Sequence, residues 1–238
     1  MFPLRDTIPS RTVPVVTWAL IAINVASWFH QLGQGSHFER YLFDHGLVPQ
    51  AYFWHAARQP YDLVGRFVPV VTSMFLHASW MHVIGNMLFL WIFGDNVEDR
   101  LGHLKYLAFY LLCGTAAALI QTHLVPDSGI PMVGASGAIA GVLGAYFLFY
   151  PRARVLSVVP IFFFIQVIEI PAFFFLGFWF LMQFLSGAAQ AGAGQGGGGV
   201  AFGAHVGGFV AGLVLGPMLA RRQPRRETYP TKEVFHPW

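Results

Sequence analysis

Four polar side chains stand where polarity is costly: His82, Asn86, Ser136 and His205, each inside or at the head of an apolar run. Ser136 sits in GASGAIAG, residues 134–141, and His205 in GAHVGGFVAGLVLG, residues 203–216. Serine is a weak nucleophile until a base takes its proton, and histidine is the usual base. A carbonyl attacked by such a hydroxyl becomes an oxyanion that needs hydrogen-bond donors. Ser136 opens a predicted helix, where backbone N–H groups lack intrahelical acceptors and the dipole is positive. His82 and Asn86, four residues apart, share a helix face and can add donors. The implied chemistry is acyl transfer to water by a Ser–His dyad, since no acid is placed near His205. Each residue also has a bland reading. A membrane serine commonly bonds back to its own helix, and a lone histidine is commonly a packed one. His77 and His82 are poorly spaced for one metal, Cys113 is the sole cysteine, and no metal site is expected.

The elements that must position these groups follow from composition. The 238 residues are 55% hydrophobic and 11% charged, with mean hydropathy +0.55. Soluble domains carry about 25% charge, so an all-α polytopic membrane protein is expected. Six spans are predicted, at 14–32, 80–98, 104–125, 136–150, 171–190 and 203–220. The start, MFPLRDTIPSR, resembles a signal-peptide n-region, but no small-x-small cleavage site follows, so the first helix is read as retained. The run 155–190 is long enough to cross twice. Basic residues decide for six spans: eleven of the fourteen then share one side, with only Arg40, Arg58 and Arg66 on the other. By the positive-inside rule both ends are cytoplasmic. Residues 155–168 then form an interfacial or re-entrant loop. The aromatic-rich segment 33–79 is read as a hairpin in the outer headgroup layer, GAGQGGGG at 192–199 as an outer linker or a movable cap, and 221–238 as a basic tail beyond a membrane domain of residues 1–220.

In this topology the second, fourth and sixth spans run the same way. Counted from their cytoplasmic ends, Asn86 and Ser136 lie about 21 Å up, and His205 about 24 Å. His82 is one turn above Asn86. All four share a level about 10 Å below the outer surface of a core about 30 Å thick. Small residues supply the approach. Gly137 and Gly141 on the fourth span, and Gly203, Gly207, Gly208, Gly212 and Gly216 on the sixth, have the spacing that lets helix backbones nearly touch. That spacing is packing glue in any reading; here it also brings Ser136 toward His205.

The motifs resemble the rhomboid family of intramembrane serine proteases over about residues 65–220. GASG resembles its nucleophile motif and assigns Ser136. AHVGG resembles its histidine motif and assigns His205, with Gly208 at the helix contact. HASWMHVIGN resembles its second-helix motif, which implies oxyanion roles for His82 and Asn86 and a structural hydrogen bond for His77. VEDRLG resembles its structural acidic–basic motif, with Glu98 and Arg100. The resemblance implies six helices, no cofactor, and cleavage of transmembrane substrates in the bilayer of, for a bacterial-type member, the inner membrane. No nucleic-acid partner is implied, and the oligomeric state is not read from it. Two positions depart from the pattern. A frequent Trp-Arg pair is replaced by FVP, residues 67–69, with Arg66 beside it, and a tyrosine that supports the histidine in some members is Ala140. The competing readings are an inactive relative that binds membrane clients, which normally lacks the serine or histidine, and a transporter, which internal repeats would favour.

Overall fold

A computed structural model describes residues 1–161, 164–192 and 201–221. The glycine-rich loop from residue 193 and the tail from 222 lie outside the described residues. The chain starts with a short strand, β1 (Phe2–Asp6), then α1 (Val15–Leu32). Helix α1 follows Pro14 and has no side-chain cap of its own. Its first amides are capped from a distance: Glu98 accepts from Val16 N at 2.9 Å, Thr17 N at 2.8 Å and Thr17 Oγ1 at 2.7 Å. A carboxylate at a helix N-terminus satisfies orphan donors and complements the dipole.

The segment expected as a hairpin folds instead into α2 (Phe38–His45), α3 (Pro49–Arg58) and α4 (Leu63–Thr72). Pro49 at the first turn of α3 and the Asp62 carboxylate accepting from Gly65 N at 2.8 Å start two of these helices. Arg66 ties them together: Nη2 donates to Tyr52 Oη at 3.1 Å, and the guanidinium lies 4.7 Å from the Tyr52 ring centre and 5.0 Å from that of Phe67. Phe43, Trp54, Leu63, Phe67 and Val71 remain exposed.

The chain then bends by 81° into α5 (Trp80–Leu101), whose first turn is capped by Ser79 Oγ accepting from His82 N at 3.2 Å. Gly102, at φ 81°, ends α5 and turns the chain into α6 (His103–Leu124). Helix α7 (Ser136–Phe149) follows. Every residue from Gly137 to Tyr146 is buried, as befits a helix apolar all round. It is the central helix, enclosed by α5, α6 and α9 (Phe202–Leu219). Among the described residues, by length and apolarity, four helices can each cross a membrane, five when the bent pair through α5 counts as one span; α7 is a shorter apolar helix.

The seam between α7 and α9 is built from absent side chains. A Cβ on Gly208 would strike the carbonyl oxygen of Gly137, one on Gly212 that of Gly141, and one on Gly144 that of Phe209. Backbone meets backbone along three turns, which only glycine allows.

An element absent from the sequence reading joins α7 to α8 (Ala172–Gly192). Residues expected as an interfacial or re-entrant loop form β2 (Arg154–Ile161) and β3 (Phe164–Pro171), completing a three-stranded antiparallel sheet in the order β1-β2-β3. The run is dense in valine and isoleucine, which favour strand, and Pro160 is costly inside a helix. Pro171 closes β3, and α8 starts with Ala172 N donating to Ala153 O at 2.7 Å.

Candidate active site

A cavity of about 670 Å³ opens at the N-terminal end of α7. Ser136, His205, His82, Asn86, Trp179 and Gln183 are among its lining residues, from four helices. Ser136 is the first residue of α7 and lines the cavity, and Ala135 before it provides no side-chain cap, so the leading amides of that helix have no intrahelical acceptor. Gly134 has φ 127°, a conformation that favours glycine, and its N–H donates to Ser73 O at 2.8 Å. A Cβ there would lie 2.6 Å from His82 Nε2 and 3.6 Å from Ser136 Oγ. The His82 ring and the serine hydroxyl therefore flank one point, and a side chain at Gly134 would fill it.

Asn86 Nδ2 donates to His77 Nε2 at 3.0 Å. An amide nitrogen has two hydrogens, so one remains for the cavity that Asn86 lines. His77 is itself fixed: its N–H donates to Gln31 Oε1 at 3.0 Å, and Gln31 Nε2 donates to its carbonyl at 2.9 Å. The ring of His82 stands 5.1 Å from that of His77, nearly perpendicular. Helix α1 thus holds the segment just before α5, where His77 accepts from Asn86.

His205 Nδ1 lies 2.7 Å from Gln183 Oε1. An amide oxygen only accepts, so Nδ1 carries the proton and Nε2 is the free base. The Trp179 ring lies 5.9 Å away, tilted by 37°, and Phe202 6.4 Å away, edge-on. Helix α9 is held at this end by Gln121, whose Oε1 accepts from Ala204 N at 3.1 Å. Among the described residues no hydrogen bond joins Ser136 Oγ to His205, though both border the one cavity. Catalytic contacts in unliganded sites are often long and tighten with substrate.

The structure brings His77, His82, Asn86, Ser136, Gly137, His205 and Gly208 to one end of the bundle and leaves Glu98 and Arg100 at the other. Those two do not pair: Glu98 caps α1 and contacts His103 Nδ1 at 2.5 Å, while the Arg100 guanidinium lies 5.4 Å over the Phe149 ring. Gln183 and Gln121 were not anticipated. Their signal was available, since a glutamine inside FWFLMQFLSG or ALIQTHL is a polar group in an apolar span. Among the described residues no group of three or more His, Cys, Asp or Glu could hold a metal.

These features define a multi-pass helical membrane protein with a serine and a histidine on one internal cavity. The Rhomboid domain model matches residues 64–222, and the chain belongs to the rhomboid family. It is similar to Rhomboid-like protein 11, chloroplastic, of Arabidopsis thaliana, with 30% identity over 115 residues, 48% of this chain and 38% of that protein. Rhomboid protein 1, mitochondrial, of Saccharomyces cerevisiae is 29% identical over 145 residues, 59% of this chain and 38% of the relative. Rhomboid protease AarA of Providencia stuartii is 29% identical over 143 residues, 55% and 49%. The chain thus spans less than half the length of each of these relatives.

Proposed function

We propose that this protein is an intramembrane serine endopeptidase that cleaves transmembrane segments of membrane-protein substrates through a Ser136–His205 dyad. The observation that carries the reading is the pairing of His205 Nδ1 with Gln183, which leaves Nε2 free on the cavity that Ser136 also lines. The name of the Providencia relative, a protease, supports it.

In this reading Ser136 Oγ attacks a substrate peptide carbonyl as His205 Nε2 takes the hydroxyl proton. The oxyanion is met by the Ser136 N–H at the start of α7, the ring of His82 and the second hydrogen of Asn86. Collapse breaks the C–N bond, and the imidazolium gives its proton to the leaving amine. Water, deprotonated by His205, then cleaves the Ser136 ester and restores the hydroxyl. His77 and Gln183 position the reacting groups, and Gly137 and Gly208 set the distance between the two helices. No cofactor has a step here.

The same reading takes α1 and α5 through α9 as six spans of one membrane domain, residues 1–220, with 221–238 as a cytoplasmic tail on the basic-rich side. The bacterial inner membrane expected from the sequence is not supported by these relatives, several of which are chloroplastic or mitochondrial by name. The test is incubation of the purified protein, in vesicles, with a panel of transmembrane peptides, followed by sequencing of fragments. Ser136→Ala and His205→Ala should each abolish cleavage while remaining folded. Wild-type turnover by either variant refutes the dyad.

A further inference from the structure

The sheet between α7 and α8 lies at the end of the bundle away from Ser136, because α7 begins at the cavity and ends five residues before β2. Its root is part of the fold: Val155 and Ser157 are fully buried. Its outer strand is not. From Phe164 to Glu169 every residue of β3 is exposed, so side chains on both faces are uncovered. Phe164 is 73% exposed, Ile165 76% and Val167 55%. An antiparallel strand with one wet face alternates apolar and polar residues; Phe-Ile-Gln-Val-Ile does not.

The register sorts charge along the hairpin. Arg5 pairs with Leu156, Leu156 with Glu169, and Arg154 Nη1 lies 3.5 Å from Glu169 Oε2, all next to the bundle. Further out come Val158 opposite Val167, Pro160 opposite Ile165, and Phe2 beside Val158. The projection has a charged root and an apolar outer half. Past the charged root, exposed apolar surface resumes at Phe173, Phe174 and Phe178 of α8, a helix long and apolar enough to span the bilayer.

We propose that the β2–β3 hairpin is a lipid-binding wing, whose outer half enters the headgroup–acyl boundary of the leaflet opposite the cavity. The direct passage of β3 into α8 selects lipid as the occupant, because both faces of the strand need an apolar surrounding and the helix that starts at its end is fit to cross the bilayer. The charged root sits at the headgroups. Depth is limited by β3 being an edge strand: its outward N–H and C=O groups need water or phosphate and are not tolerated in the hydrocarbon centre. This inference does not depend on the proteolytic reading.

The experiment places a single cysteine at Ile165, Val167 or Arg152, labelled with an environment-sensitive fluorophore in the full chain. Cys113 is fully buried, and the unsubstituted protein measures its background. The proteins are reconstituted in phosphatidylcholine–phosphatidylglycerol vesicles carrying spin labels on the headgroup or high on the acyl chain. At 165 and 167 the emission should shift to the blue and be quenched several-fold more by acyl-chain spin labels than by aqueous iodide. At 152 the order should reverse. Iodide quenching at 165 and 167 with no acyl-chain quenching overturns the proposal. So does shielding from both quenchers with energy transfer between labelled copies that rises with protein density, since the occupant is then a second copy paired along β3.

Discussion

Removing the acceptor that faces His205 separates a positioned base from a merely nearby one. In Gln183→Leu the side chain keeps much of its bulk but offers nothing to Nδ1. The bond lost is 2.7 Å long and partly buried. Leaving such a donor unpaired costs about 1–3 kcal/mol, and the loss is felt most in the transition state, where the ring carries positive charge and the bond is charge-assisted. At about 1.4 kcal/mol per factor of ten, kcat should fall roughly 5- to 150-fold. Gln183→Glu retains an acceptor at the same reach and should stay within about tenfold of the parent. The assay is kcat and KM on a transmembrane peptide in vesicles, together with the rate of fluorophosphonate labelling of Ser136. A structural role for Gln183 would lower thermal stability in both variants alike; a positioning role lowers kcat and labelling in the leucine variant only. Unchanged kcat in Gln183→Leu, or equal loss in both variants, refutes the assignment.

The α7–α9 seam makes a second prediction: in Gly208→Val the new side chain meets the Gly137 carbonyl, and the base moves with α9. Overpacking should cost about 1–3 kcal/mol, and a shift of about 1 Å on the order of a hundredfold in Ser136 labelling. Gly216→Val, which meets Ala145 far from the cavity, should lose stability while largely keeping its labelling; equal labelling loss in the two would reduce the glycines to general packing. At the other end, Glu98→Ala should destabilise by about 1–3 kcal/mol through the lost cap on α1, read as a lower unfolding midpoint, with labelling per folded molecule unchanged. Parent-like unfolding would show that the three hydrogen bonds from α1 to Glu98 contribute little.

Helix positions were legible because lipid imposes a simple rule on each segment by itself. The predicted 14–32 became Val15–Leu32, 136–150 became Ser136–Phe149, and 203–220 became Phe202–Leu219. The glycines of the fourth and sixth spans were legible for the same reason, since a small residue every fourth position states how closely a neighbour can come. What stayed hidden depends on partners distant in sequence. Phe2 pairs with Val158, so no local window could reveal that sheet. Glu98 and Arg100 belong to one short motif, yet they are two residues apart on a helix and do not face each other. One reaches back to α1 and the other to the end of α7.

The two departures from the family pattern have local answers of the same kind. Arg66 stacks on Tyr52 and Phe67 and bonds the Tyr52 hydroxyl, which fastens α3 to α4 without a tryptophan before the arginine. Ala140 leaves no ring on α7 to support His205, and the space is taken by the helix contact itself: a Cβ on Gly208 would stand 3.2 Å from that of Ala140. A tyrosine at 140 and the observed approach of α9 exclude each other. With no ring at position 140, the base takes its support from Trp179 and Gln183 of α8. Serine and histidine thus rest on different neighbours: Ser136 is fixed by the buried central helix, whereas the orientation of His205 depends on a helix whose outer face is exposed at Phe173, Phe174, Phe178 and Leu181. The sequence cue for that arrangement was a pair of facts read together, a small residue where a ring was expected and an unexplained glutamine in the next apolar span.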